Sequence, residues 1–147
     1  MTHMKKNILV VDDSALMRRV MCDIINSDSK FQATDYCRDG LEAYEKLKHT
    51  SYDGVVLDVN MPRMDGLQLL EKLQKEGIRA NVVMVSTLTD SREADVTILA
   101  MERGAIDFVA KPTNIIEAKG EAFKRQLLGV LNAVLATQKA AESVRPA

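Results

Sequence analysis

The sequence predicts a single α/β domain built as a doubly wound, five-stranded parallel sheet with helices on both faces. Three observations carry this expectation. Five short apolar runs alternate with segments of helical periodicity. The runs at 7–11, 54–57 and 81–85 are nearly continuous in apolar residues rather than alternating apolar with polar, as strands buried on both faces are. The chain has 147 residues, enough for one core and the usual size of one domain. Strict β–α alternation then calls for parallel strands joined by right-handed crossovers.

The elements follow in order. Residues 7–11 form the first strand. Leu16, Met17, Val20, Met21, Ile24 and Ile25 make the first helical stripe, with Ser14 as its N-cap. Residues 31–36 are a weaker strand, followed by a short helix marked by Leu41, Ala43, Tyr44 and Leu47. Residues 54–57 are the third strand, and Leu67, Leu69, Leu70 and Leu73 the third helix, ended by Gly77. Residues 81–85 are the fourth strand, and Val96, Leu99 and Ala100 mark a helix closed by Gly104. Residues 106–110 are the fifth strand, and Phe123, Leu127, Leu131 and Val134 the last stripe. The domain is expected over residues 5–140. Residues 141–147, polar and containing Pro146, read as a tail or the start of an interdomain linker.

Bulk properties narrow the function. A net charge of −1 gives no reason to expect nucleic acid or an acidic membrane as partner. Cys22 and Cys37 have neither metal nor redox spacing and are expected as reduced thiols of a cytoplasmic protein. No apolar run approaches the ~20 residues of a membrane span, and residues 1–6 lack the apolar stretch of a signal peptide. His3 and His49 show no ligand pattern.

In an open parallel sheet, ligands sit beyond the carboxyl ends of the strands. The first strand ends in Asp12-Asp13, the third in Asp58, the fourth in Ser86-Thr87 and the fifth in Lys111-Pro112. Alone, each has an ordinary role as a cap, turn or loop. Together they would bring carboxylates into one crevice, where two charges about 4 Å apart repel by roughly 4 kcal/mol at an effective dielectric of 20. A cation relieves that repulsion. A few hard oxygen ligands suit Mg²⁺, which shares its shell with phosphate. Lys111 supplies a point charge for phosphate oxygens and Ser86 a neutral donor. A carboxylate nucleophile, a divalent metal, a lysine and a hydroxyl are the parts of phosphoryl transfer to aspartate.

On Val10-Val11-Asp12-Asp13-Ser14, Leu57-Asp58-Val59-Asn60-Met61-Pro62, Met64-Asp65-Gly66, Ser86-Thr87 and Lys111-Pro112, the chain resembles the response-regulator receiver family over roughly residues 6–138. The resemblance implies the flavodoxin-like strand order 2-1-3-4-5 with five helices. It makes Asp58 the phosphoacceptor. Asp13, Asp58 and the backbone carbonyl of Asn60 would bind Mg²⁺ directly, and Asp12 through water. Lys111 and Ser86 would bind the phosphoryl oxygens, and Phe108 would be the switch aromatic. A cis Lys111–Pro112 bond is implied as well. A sensor histidine kinase is the implied phosphodonor partner.

A narrower resemblance rests on residues 13–18, 61–67, 85–89 and 104–112, including Met61-Pro62-Arg63-Met64-Asp65-Gly66-Leu67. These stretches are similar to the regulatory domain of chemotaxis protein-glutamate methylesterases. In such proteins that domain blocks a following esterase domain until it is phosphorylated, so the chain's own C-terminal effector domain is a further implied partner. The chain itself would carry self-phosphorylation and dephosphorylation chemistry alone.

Other readings compete. One is a stand-alone receiver that acts by docking. Another is a haloacid-dehalogenase-type phosphatase, which needs a second Asp where Asn60 stands and a nucleophile after its first strand. A flavodoxin-type carrier would meet the doubly acidic turn at Asp12-Asp13, which repels a flavin phosphate. On the receiver reading, water reaching the phosphorus passes Asn60 and Leu88, and the apolar Leu88 implies slow self-hydrolysis.

Overall fold

The structure, a computed structural model, describes residues 5–87 and 93–144, with backbone alone at 93–94 and 136–144. Its strands are β1 (Lys6–Val11), β2 (Phe31–Cys37), β3 (Gly54–Asp58), β4 (Val82–Ser86) and β5 (Asp107–Ala110). Its helices are α1 (Ala15–Asn26), α2 (Gly40–His49), α3 (Gly66–Lys75), α4 (Glu93–Glu102), α5 (Ile115–Ala118) and α6 (Glu121–Val144). The sheet is parallel throughout, in the order β2-β1-β3-β4-β5.

The apolar runs explain the layering. β3 and β4 are buried at every residue, which is why they lack polar alternation. Successive side chains serve opposite faces. Ile8, Val10, Val56, Val83, Val85 and Val109 pack with Met21 and Ile25 of α1 and Phe123, Leu127 and Leu131 of α6. Leu9, Val11, Val55, Leu57 and Met84 pack with Leu47 of α2, Leu69 and Leu73 of α3 and Ala100 of α4. Each fully buried Leu, Val or Phe contributes about 1.5–3 kcal/mol, so both faces are needed to hold so small a sheet.

Local chemistry sets the helix ends. Ser14 Oγ accepts from Met17 N at 3.2 Å and caps α1. Asp65 and Gln68 form a reciprocal capping box at α3. Gly77, with φ of 68°, ends the α3 region and lets Ile78 N reach Leu73 O at 2.9 Å.

Two expectations need correction. There are six helices, not five. Asn114 Oδ1 caps a single turn, α5, by accepting from Glu117 N at 2.8 Å, and Gly120 separates it from α6. That turn buries Ala118 alone, so it leaves no apolar stripe to read. The Lys111–Pro112 bond is trans, since no cis peptide occurs among the described residues. Trans is the isomer favoured before proline by about 0.5–1 kcal/mol. Among the described residues no helix is long and apolar enough to cross a membrane.

Candidate functional site

The carboxyl edge of the sheet gathers the strand-end residues. Backbone bonds carry the β1 and β5 ladders one step past their last residues: Asp12 N donates to Cys37 O at 3.1 Å, and Lys111 N to Ser86 O at 2.9 Å. Asp58 is the last residue of the fully buried β3 and pairs with Val85 of β4. Three adjacent strands and the end of β5 thus bring polar residues to one edge of the sheet. Asp12, Asp58 and Ser86 are buried, whereas Asp13 is exposed.

Lys111 joins the carboxylates. Its Nζ donates to Asp58 Oδ2 at 3.1 Å and lies 2.8 Å from Asp12 Oδ2. The second contact is an ion pair that provides the buried Asp12 Oδ2 with its counter-charge. Asp12 Oδ1 accepts from Ser14 N at 2.8 Å, and Arg18 donates to the Asp12 carbonyl at 2.9 Å, fixing the β1–α1 turn.

Burial, and then the neighbouring Asp12 charge, push the Asp58 carboxyl up to about 6, against the pull of Lys111. Burial alone would lower the Lys111 ammonium, but the charges of Asp58 and Asp12 prevail and hold its proton more firmly than usual. One lysine thus serves two buried carboxylates, which leaves the pocket short of positive charge.

Asp12, Asp13 and Asp58 each offer a carboxylate oxygen, all within 4.8 Å of one another. An all-oxygen donor set of three carboxylates around one lysine fits a hard divalent cation. Asn60 follows Asp58 by two residues and is exposed. Phe108 is half-buried on the α2–α3–α4 face, with Ser86 two residues beyond its β4 partner Met84 on the same face by strand alternation. Leu88 lies outside the described residues. An open groove of about 590 Å³, lined by Tyr52, Gln74, Arg79 and Arg103 among others, contains none of these residues.

Strand-end reasoning did not single out Asp39 or Arg63, which pair beside the β3–α3 connection. Neither ends a strand, and Arg63 enters the sequence reading only within the stretch 61–67. The capping position of Asp39 just before Gly40 is the one local signal.

The match to known proteins agrees with this geometry. The family model described as the response regulator receiver domain matches residues 8–120. The chain belongs to the response-regulator receiver family. Within that class it is similar to the response regulator domain of Thermotoga maritima CheB, at 34% identity and a TM-score of 0.76, covering 97% of this chain and 100% of that one. It is 45% identical over 124 residues to a protein-glutamate methylesterase/protein-glutamine glutaminase of Pyrococcus horikoshii, covering 84% of this chain and 33% of that protein. The corresponding Thiobacillus denitrificans protein is 47% identical over 116 residues, 78% of this chain and 32% of that protein. The chain spans about a third of the length of these curated relatives. A solved CheX–CheY–BeF3–Mg²⁺ complex from Borrelia burgdorferi is also similar, with 29% identity, a TM-score of 0.73 and 88% of each chain covered.

Proposed function

We propose that this receiver is a phosphorylation switch in which Asp58 takes a phosphoryl group from a phosphohistidine of a sensor histidine kinase. The observation that carries the reading is Lys111 Nζ held between the buried carboxylates of Asp12 and Asp58. That arrangement puts a carboxylate nucleophile, a second buried carboxylate and a single ammonium at one point.

Asp12, Asp13, Asp58 and the Asn60 carbonyl would hold Mg²⁺. When bound, the ion supplies positive charge against the carboxylates and the phosphoryl oxygens. The remaining chemistry belongs to the chain. The ionised carboxylate oxygen of Asp58 attacks phosphorus as the P–N bond to the donor imidazole breaks. The imidazole keeps the electron pair of that bond and takes up a proton. The new P–O bond places phosphoryl oxygens where Lys111 Nζ can transfer its contact from Asp58 Oδ2 to them. The Ser86 hydroxyl donates to another.

The similarity to methylesterases supports a chemotaxis role in which this switch regulates a following methylesterase domain. Intact-mass measurement with acetyl phosphate tests the assignment. Wild type should gain one phosphoryl group with Mg²⁺ and none with a chelator, and Asp58→Asn should gain none. Uptake by Asp58→Asn equal to wild type would overturn it.

A further inference from the structure

Asp12, Asp39, Asp58 and Ser86 are the buried polar or charged residues among those described. Three belong to the acidic pocket. Asp39 does not, and its surroundings show what it does. It caps α2 through Oδ1, which accepts from Glu42 N at 2.9 Å. Capping needs one oxygen. The other, Oδ2, accepts from Arg63 Nε at 2.9 Å and is also paired with the terminal guanidinium nitrogen.

Arg63 lies in the connection between Asp58 and α3. Its φ of 67° is the sole positive φ at a non-glycine residue among those described. A long side chain rarely takes that region, which glycine or asparagine usually fills. Strain of this kind persists where surrounding contacts over-determine the backbone. Those contacts are present: Gly40 N donates to Met64 O at 2.9 Å, and a Cβ at Gly40 would stand 2.3 Å from that oxygen. Residues 39–40 therefore grip residues 63–64 by an ion pair, a backbone hydrogen bond and a contact open to glycine alone. The far side of the loop is also closed, with Gly66 N donating to Val59 O at 2.8 Å. Asn60 is carried between these two anchorages.

We infer that Arg63 is a positioning residue for the cation site: bound to Asp39, it latches the Asn60-bearing loop onto the start of α2 and so presets the loop before a cation arrives. This rests on the reading of Asp12, Asp13 and Asp58 as the Mg²⁺ site. Residues that orient ligands from outside a metal's own shell act in this way, and their loss typically weakens metal binding by about 10–100-fold.

NMR titration with Mg²⁺, following the Asp58 and Asn60 amides well below the melting temperature, separates positioning from simple stabilisation. Arg63→Ala should raise the dissociation constant about ten-fold. Arg63→Lys should recover part of the loss, since an ammonium replaces one arm of the fork. Arg63→Gly relieves the positive φ and should regain stability without regaining affinity. Asp39→Asn keeps a good helix cap and should weaken Mg²⁺ as Arg63→Ala does, with the double variant no worse than either single change. Folded Arg63→Ala protein that binds Mg²⁺ within about two-fold of wild type would make the pair merely structural and overturn the inference. Asp13→Ala serves as the control for the site itself. If wild type shows no Mg²⁺ response, or Asp13→Ala keeps all of it, the site reading fails and the latch with it.

Discussion

Lys111 is the residue on which the electrostatics of the pocket turn. It is 11% exposed and faces two carboxylates that are nearly inaccessible. Lys111→Ala would leave both without a counter-charge, and removing one partner of a buried pair costs about 3 kcal/mol or more. Melting at pH 8 should fall accordingly, and Mg²⁺ should recover more stability in this variant than in wild type. In wild type, Mg²⁺ at ten times its dissociation constant should add about 1.4 kcal/mol, or roughly 4 °C. Asp13→Ala should remove that response. Because Asp13 is exposed, its loss should leave the metal-free protein at least as stable. Asp39 gives a signed pH effect. Burial works to raise its carboxyl, but the Glu42 backbone hydrogen bond and the Arg63 guanidinium outweigh it and hold it below the usual carboxylate range. A depressed carboxyl stabilises the fold above its unfolded value near 3.8 and loses that contribution as pH falls through the folded value. The acid limb of a stability–pH curve should therefore be shallower in Asp39→Asn than in wild type below about pH 4.

Among the elements, the β3–α3 connection is the most constrained. A Cβ on Gly66 would stand 2.4 Å from Asp58 O and 3.0 Å from Val59 Cα, both backbone atoms that cannot rotate away. Gly66→Ala must therefore move the loop that follows Asp58. It should cost about 2 kcal/mol or more by urea unfolding and lower phosphoryl uptake beyond what the lost stability explains. The same elements show what a sequence reveals. β3 and β4 are legible because strands buried on both faces must be continuously apolar. Ser14, Gly77 and Gly104 mark helix ends because caps and left-handed turns demand particular residues. α5 is hidden because one turn burying a single alanine carries no periodicity. The convergence of Asp12, Asp13, Asp58 and Lys111 is legible because parallel strands place their carboxyl ends together. The pairing of Asp39 with Arg63 is not, since it joins positions 24 apart through tertiary packing with no shared pattern.

Across the whole molecule, the proposed function requires the pocket to reach a distant surface. Ser86 ends β4, and Phe108 lies on the adjacent β5, diagonal to it and on the same face. Phosphorylation adds about −1.5 to −2 of charge and three strong acceptors. Drawing Ser86 toward those oxygens would open space beside β5 for the half-buried Phe108 ring. The surface of α4, β5 and the segment following β5 would then have two states, biased by the phosphoryl contacts. Ser86→Ala should still accept the phosphoryl group yet lose much of this shift. The most direct measurement is the amide NMR spectrum with Mg²⁺, before and after beryllium fluoride, for wild type, Asp58→Asn and Ser86→Ala. The expected result is change both around Asp58 and across residues 95–115 in wild type, none in Asp58→Asn, and change confined to the pocket in Ser86→Ala. Wild-type shifts that stay at Asp58, or equal shifts in Asp58→Asn, would contradict the phosphoryl switch.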